Sequence, residues 1–258
     1  MNLPLAGCRI LVTRGASQVA RLSDDLRALG ATPVEVPVIE IQPPASYAAL
    51  DAALHGLADY DWLILTSANA ARSLATRSAL LGIELSLPAS LKVAAVGPAT
   101  AKETEAMGLA VVLMPESAIA ESLVEALAGQ ARGKRVLLAR AAVARDVLPD
   151  ALRAAGATVD VVSVYRNVLP AAAPEDLRRA LDGKLDAATF TSSSTATHLA
   201  AAAARLAGVV FPLAGVPAIS IGPITSATLR ELDWELAAEA DPHDVSGLIA
   251  AVVAALAR

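Results

Sequence analysis

Aromatic side chains make up only 3% of this 258-residue chain. That scarcity removes the stacking platforms on which single-stranded nucleic acid is held. Cysteine is nearly absent as well. Cys8 is the only one, so no intramolecular disulfide can form, and a reducing, cytoplasmic setting is expected. Cys8 opens an apolar run and is expected to be a buried thiol rather than a nucleophile. His55, His198 and His243 lie in unrelated segments, without the Cys, Asp or Glu spacing that a metal site needs. They are expected on the surface or at helix flanks. No Gly-x-Gly-x-x-Gly follows the first apolar run, and no phosphate-loop Gly-Lys-Ser/Thr occurs, so a dinucleotide or P-loop site is unsupported. A Gly-x-Ser-x-Gly elbow and a Ser-His-Asp set are also missing. The net charge of −5 disfavours non-specific nucleic-acid binding. Residues 206–229 carry no charge, but Pro212, Pro217 and Pro223 with Gly208, Gly215 and Gly222 interrupt them. This stretch reads as loop, short buried strand and turn rather than a membrane span. The N-terminus lacks a basic segment followed by an apolar one, so no signal peptide is expected.

What the chain does have is a repeat. Arg9-Ile-Leu-Val-Thr-Arg14 runs on through Gly30 to Ile39. Arg135-Val-Leu-Leu-Ala-Arg140 runs on through Gly156 to Tyr165. Gly30 and Gly156 are 126 positions apart (156 − 30), as are Arg14 and Arg140. Further on, Ser67 returns as Ser192 and Thr100 as Thr225, both offset by 125 (192 − 67 and 225 − 100). One deletion over such a length is what a tandem duplication leaves behind. With 55% hydrophobic residues and a mean hydropathy of +0.53, each copy can bury a core. A doubled α/β unit usually forms a ligand-binding cleft.

Short apolar runs at 10–13, 32–36, 63–66, 93–96 and 110–114 read as strands, as do 136–139, 158–162, 187–191 and 218–221. Helical spacing lies between them: Val19, Leu22, Leu26 and Leu29 before Gly30, then Leu148, Leu152 and Ala155 before Gly156. Strands apolar on both flanks with helices between them predict an α/β fold. Two doubly wound parallel-sheet lobes are expected. Residues 36–44 and 163–170 break the alternation. They are extended and end in prolines, which suits edges and connectors. They are read as the links, paired as a two-stranded β ribbon.

Ligands meet doubly wound sheets at the carboxyl ends of the strands, where helix N-termini point. Those places hold Thr13 and Arg14, then Ser67 and Asn69, then Gly97 and Thr100 in the first copy. The second has Arg140, Ser192 and Ser193, then Gly222 and Thr225. Any one hydroxyl there is ordinary helix capping. The set, matched in two copies, points to a polyanion. Arg14 and Arg140 either fork onto a ligand carboxylate or pair with a local acid such as Asp146. Tyr165 either offers its phenol to the ligand or packs as a connector aromatic. Its repeat mate is Ile39, so the fold does not require the hydroxyl.

Together these motifs resemble the uroporphyrinogen-III synthase family over essentially the whole chain. The resemblance rests on Val-Thr13-Arg14, Leu-Thr66-Ser67-Ala-Asn69-Ala, Ala-Val96-Gly97-Pro-Ala-Thr100-Ala, Ser-Val-Tyr165-Arg166, Phe-Thr-Ser192-Ser193 and Ile221-Gly222-Pro-Ile-Thr225. It implies two α/β lobes joined by a two-stranded ladder. It also implies cyclisation of hydroxymethylbilane, a linear tetrapyrrole polycarboxylate, with loss of water and inversion of ring D through a spiro intermediate. No cofactor is implied. Tyr165 matches the family tyrosine proposed as the acid for the leaving hydroxyl.

By itself the repeat places a boundary near Gly133. The links and the resemblance instead place lobe 1 at 1–36 plus 170–258, lobe 2 at 44–163, and the links at 37–43 and 164–169. Thr100 and Thr225 are then expected to face one cleft. A small-molecule substrate, no nucleic acid, no membrane and a monomer are expected. Gly15 stands where the family often has proline and is expected to loosen the turn that aims Arg14. Ile224 and Ser226 also depart from the usual pattern. The alternative is a non-catalytic two-lobed tetrapyrrole-binding or regulatory protein. A two-lobed nucleotide-sugar transferase is weak without phosphate-loop glycines.

Overall fold

The computed structural model describes residues 3–85, 88, 90–127 and 129–256, apart from the side chains of 16–18. Its contacts divide the chain into two compact units. Residues up to Glu40 join those from Val168 onward in the first, and Ile41–Asn167 form the second.

The first unit holds β1 (Arg9–Val12), α1 (Ala16–Ala28) and β2 (Thr32–Glu35). The chain returns to it as α7 (Ala173–Ala180), β9 (Ala187–Phe190), α8 (Ser193–Ala203), β10 (Ala218–Ser220), α9 (Pro223–Glu231), β11 (Leu236–Glu239) and α10 (Val245–Leu256). Its sheet runs β11-β10-β9-β1-β2.

The second unit holds α2 (Ala48–His55), β4 (Trp62–Leu65), α3 (Ala68–Leu80), β5 (Lys92–Ala95), α4 (Pro98–Ala106) and β6 (Val111–Leu113). Then come α5 (Ala120–Leu127), β7 (Arg135–Ala141), α6 (Val147–Ala154) and β8 (Thr158–Val168). With β3 (Glu40–Gln42) at one edge, its sheet runs β3-β8-β7-β4-β5-β6.

The two sheets share one order. Under the repeat, β1 and β2 correspond to β7 and β8, and β9, β10 and β11 to β4, β5 and β6. The first sheet therefore takes a strand–helix–strand unit from one copy and three strands from the other, and the second does the same with β3 added at its edge. The register is repeated too. Ile10 sits opposite Ala187 in one sheet, and the equivalent Val136 sits opposite Trp62 in the other. An irregularity after Ala218 in the β10–β11 pair returns after Val93 in the β5–β6 pair.

Strand side chains alternate between two buried faces. Leu11 faces a cluster with Leu177 of α7, Leu199 of α8 and Leu229 of α9. Ile10 and Val12 face Leu22 and Leu26 of α1 and Leu248 and Val252 of α10. In the second unit Leu63 and Leu65 meet Leu54 of α2 and Leu74 of α3, while Trp62 and Ile64 meet Leu123 of α5 and Leu152 of α6. Burial of each such side chain stabilises by about 1.5–3 kcal/mol. The scarce aromatics are concentrated. Both phenylalanines stack edge-on against Trp234, with centroids 5.0 and 4.9 Å away, and Trp234 Nε1 donates to the Val216 carbonyl at 2.6 Å.

Helices α1 and α6 stop at the same device. Gly30 and Gly156 both have φ +92°, a conformation that costs a residue with a Cβ. Pro33 sits inside β2, which is an edge strand, the place where its missing N–H does no harm. Pro37 follows soon after β2 ends. The second expected link differs from its reading: 158–162 and 163–165 are one strand, β8, continuing to Val168. Its β-branched run meets no proline before Pro170, and a register shift at Arg140/Ala141 lets pairing continue to Tyr165. Strand β3 lies within the 36–44 segment read as half of the ribbon and pairs with β8, whereas β11 was not among the expected runs; it is short and mostly small. Cys8 is half-buried rather than buried, since it precedes β1. The 206–229 stretch forms loop, β10 and most of α9. No helix among the described residues is long and apolar enough to cross a membrane.

The pairing across copies is clamped at its start. Asp186 Oδ2 accepts the Arg9 backbone N–H at 2.9 Å, and Asp61 Oδ2 accepts that of Arg135 at 2.8 Å. Lys184 and Lys134 Nζ each lie 2.8 Å from the other carboxylate oxygen. The Lys134 hydrogen bond, then the Arg135 N–H, hold Asp61 below the usual carboxylate range. We expect Asp61→Ala to cost about 1 kcal/mol in urea unfolding, the low end for a lost N–H partner because water reaches the site. A group held below its unfolded pKa stabilises above that unfolded value and loses the contribution as pH falls through the folded one. The wild type and Asp61→Ala should therefore converge in stability in acid below about pH 4.

Candidate active site

The carboxyl ends of adjacent strands carry the polar residues of each unit. In the first unit they are Thr13 and Arg14 after β1, Ser192 and Ser193 after β9, and Gly222 after β10, on three neighbouring strands. In the second they are Gly97 after β5, Ser67 and Asn69 after β4, Arg140 near the end of β7, and Tyr165 in β8, on four.

Ser67 and Ser192 do cap helices. Ser67 Oγ accepts the Ala70 N–H at 3.1 Å, and Ser192 forms a reciprocal capping box with Thr195. The expectation of a capping hydroxyl at every strand end fails elsewhere. Gly15, Gly97 and Gly222 are the N-cap residues of α1, α4 and α9. Thr13, Thr100 and Thr225 are all buried. Thr13 Oγ1 is spent on the Thr189 carbonyl at 2.8 Å, and Thr189 Oγ1 answers on Leu11 O at 3.0 Å. Thr100 and Thr225 stand two residues further into their helices than the prolines that open them, on the side turned to the core. Ser193 Oγ donates to Ile224 O at 3.3 Å and accepts from Thr228 Oγ1 at 2.8 Å.

Arg140 is paired. Its side chain is 12% exposed, with Nη2 2.5 Å from Asp146 Oδ1 and Nη1 2.9 Å from the Arg145 carbonyl. Burial, then the nearby charge of Arg21, lower the pKa of Arg14; an anion beside that crowded cation would be favoured. Gly15 stands at the N-cap of α1. Its φ is −57°, which any residue adopts. A Cβ there would lie 2.9 Å from the Ile39 carbonyl oxygen, so glycine permits a close approach. The equivalent contact in the second copy brings Ala141 beside Tyr165.

Tyr165 is 6% exposed. Its hydroxyl is 3.1 Å from Ser67 Oγ, and the Asn69 side chain is close enough to favour its ionised form. Burial pushes the phenol up, while Ser67, Asn69 and the positive charge of Arg72 pull it down. Three of the residues singled out in the sequence thus meet at one atom. Arg72 was not singled out. It lies three residues after Asn69 on α3, a spacing that places two side chains on one helix face.

Of the histidines, His55 closes α2 and is exposed. His243 is exposed with Nδ1 2.7 Å from Ala240 O, and His198 is half-buried with Nδ1 2.8 Å from Val38 O. No cluster of metal-ligating side chains occurs among the described residues.

Two sheets of one strand order, each with capped helix N-termini and polar residues gathered at its strand ends, define a tandemly duplicated α/β protein. A model of the family described as uroporphyrinogen-III synthase HemD matches residues 20–250. The uroporphyrinogen-III synthase of Synechococcus elongatus is 38% identical over 254 residues, 96% of either chain. The porphyrin biosynthesis protein HemD of Ruminiclostridium josui is 30% identical over 90% of this chain and 45% of its own. The fold is shared with a mutant uroporphyrinogen III synthase from the extremely thermophilic bacterium Thermus thermophilus at a TM-score of 0.69. There the identity is 21%, with 97% of this chain and 99% of that one covered. The Helicobacter pylori uroporphyrinogen-III synthetase gives 0.65 at 18% identity, with 96% and 99% covered. The chain belongs to the uroporphyrinogen-III synthase family, the cyclising hydro-lyases of tetrapyrrole biosynthesis.

Ser67→Ala should cost about 0.5–2 kcal/mol in chemical denaturation through the lost cap. It should also move Tyr165 ionisation, followed by ultraviolet absorption, to higher pH, because a hydrogen bond that lowers the phenol is gone. Ser192→Ala should cost a similar amount without moving the tyrosine. Equal absorption titrations for the two variants would contradict the Ser67–Tyr165 contact.

Proposed function

We propose that this chain cyclises hydroxymethylbilane to uroporphyrinogen III, losing water and inverting ring D, with Tyr165 as the acid. The observation that carries this reading is the buried Tyr165 hydroxyl 3.1 Å from Ser67 Oγ. A phenol held at strand ends between hydrogen-bonding neighbours can give its proton to a leaving hydroxyl, which then departs as water. A phenol is protonated at neutral pH, and burial pushes its ionisation further up.

The polycarboxylate substrate would be gripped by the N-cap ends at Ser67, Gly97, Ser192 and Gly222, by Asn69 and Ser193, and by the guanidiniums of Arg14 and Arg140. Arg140 would exchange Asp146 for a substrate carboxylate. Thr13, Thr100 and Thr225, being buried, would serve this site by holding strand and helix ends in place. Suppression of direct closure would follow from holding the rings in one conformation. Residues 37–43 and 164–169 are proposed as the links between lobes 1–36 plus 170–258 and 44–163. The same reading has the enzyme act as a cytoplasmic monomer without nucleic acid or membrane.

The test is to supply hydroxymethylbilane and identify the isomer. Type III product is expected. Type I alone, at the spontaneous rate, would sink the proposal. Tyr165→Phe should lower turnover by about tenfold or more at unchanged unfolding midpoint. Wild-type turnover in that variant would remove the phenol from the acid role.

A further inference from the structure

The hydrogen bonds around Tyr165 extend beyond its immediate partners. Asn69 Oδ1 accepts from Arg72 Nη2 at 2.7 Å. An asparagine amide has one acceptor end and one donor end, so the Arg72 contact commits the oxygen and leaves the N–H donors for the phenol. Arg72 Nη1 in turn lies 2.5 Å from Glu103 Oε2 on α4. A chain of polar contacts therefore runs Glu103, Arg72, Asn69, Tyr165, from α4 across α3 to β8.

The duplication supplies an internal comparison. At the offset of 125 (192 − 67), Asn69, Arg72 and Glu103 correspond to Ser194, Thr197 and Thr228. Tyr165 corresponds to Ile39. The unit without the phenol, which pairs Ile39 of one copy with Ser194, Thr197 and Thr228 of the other, is also without the charged arm. There α8 and α9 are tied by the Thr228–Ser193 hydroxyl pair, so packing this helix pair does not require an ion pair. The charged arm accompanies the tyrosine.

We propose that Arg72 is a positioning residue that orients the Asn69 amide so that its N–H group donates to the Tyr165 oxygen, with Glu103 holding Arg72. This rests on the reading of Tyr165 as the acid. When the Tyr165 O–H bond breaks, the proton goes to the substrate hydroxyl oxygen, and the C–O bond breaks with its electron pair leaving in water. The phenolate left behind is met by the Asn69 N–H, the Ser67 hydroxyl and the Arg72 charge. Loss of water is the only net change in the reaction, so ring closure releases a proton that restores the phenol. The charged groups near this site are Arg72 from α3, Glu103 from α4 acting through it, and Arg140 from β7, which is paired with Asp146. Burial raises the Tyr165 phenol, and Ser67, Asn69 and Arg72 oppose it, in keeping with this arrangement.

The test uses the full chain with hydroxymethylbilane, together with ultraviolet titration of Tyr165 as the difference between each protein and its Tyr165→Phe counterpart. Arg72→Met should lower kcat about tenfold with KM changed by less than about twofold. It should also move the Tyr165 ionisation midpoint upward. Arg72→Lys should restore part of both, and Glu103→Gln should shift both in the same direction by less. A raised KM at unchanged kcat would overturn the proposal in favour of a substrate-carboxylate contact. An unmoved midpoint in Arg72→Met, or in Glu103→Gln if the first variant fails to fold, would overturn it too. If Tyr165→Phe turns over like wild type, the acid reading fails by itself, and the midpoint shift still reports whether Arg72 and the phenol are coupled.

Discussion

The structure depends on a parallel strand pairing made between the two copies rather than within either. β1 lies beside β9, and β4 beside β7, in one repeated register. A carboxylate at the start of each pairing accepts the first strand N–H of the other copy. A one-residue slip would turn Ile10 and Val12 to the face that Leu11 fills, and both helix layers would lose their fit. With this register fixed, the remaining strands add in the same order on each sheet. The polar strand ends then fall in a row, because parallel strands all finish on the same side.

Symmetry of the frame makes its departures informative. Gly30 and Gly156 share one backbone angle, and the equivalent β10–β11 and β5–β6 pairs share one irregularity. Against that background, Tyr165 in place of Ile39 and Arg72 in place of Thr197 stand out. A second departure lies in the other unit. Ser220, Ser226 and Glu239 form a buried hydroxyl–hydroxyl–carboxylate chain where the equivalent positions are Ala95, Ala101 and Met114. Both serines are fully buried. This chain fixes α9 to β10 and β11, where the alanine-rich counterpart relies on close packing alone.

Much of the fold was legible because its signals are local. Strand and helix positions followed from apolar spacing, and helix ends from Gly30 and Gly156. The fold class followed from alternation of the two. The short strand β11 was not legible, since its pairing comes from neighbours supplied elsewhere in the chain. The site was legible in part. Ser67, Asn69 and Tyr165 were found by position at strand ends. The fate of Thr13, Thr100 and Thr225 was not, because a threonine at a strand end looks the same in sequence whether its hydroxyl faces a ligand or a neighbouring carbonyl.

The sequence by itself determined the repeat, the parallel α/β class, the family motifs and the place where the copies diverge. These are properties of spacing and residue type along one line of chain. Only the tertiary structure decided which strands from which copy share a sheet, that Arg140 is held by Asp146, and that Asn69 and Arg72 lead back to the Tyr165 phenol. Those contacts to the phenol join residues about a hundred positions apart. Backbone pairing and core packing bring them together, and hydrogen bonds a few ångströms long then decide what each side chain does.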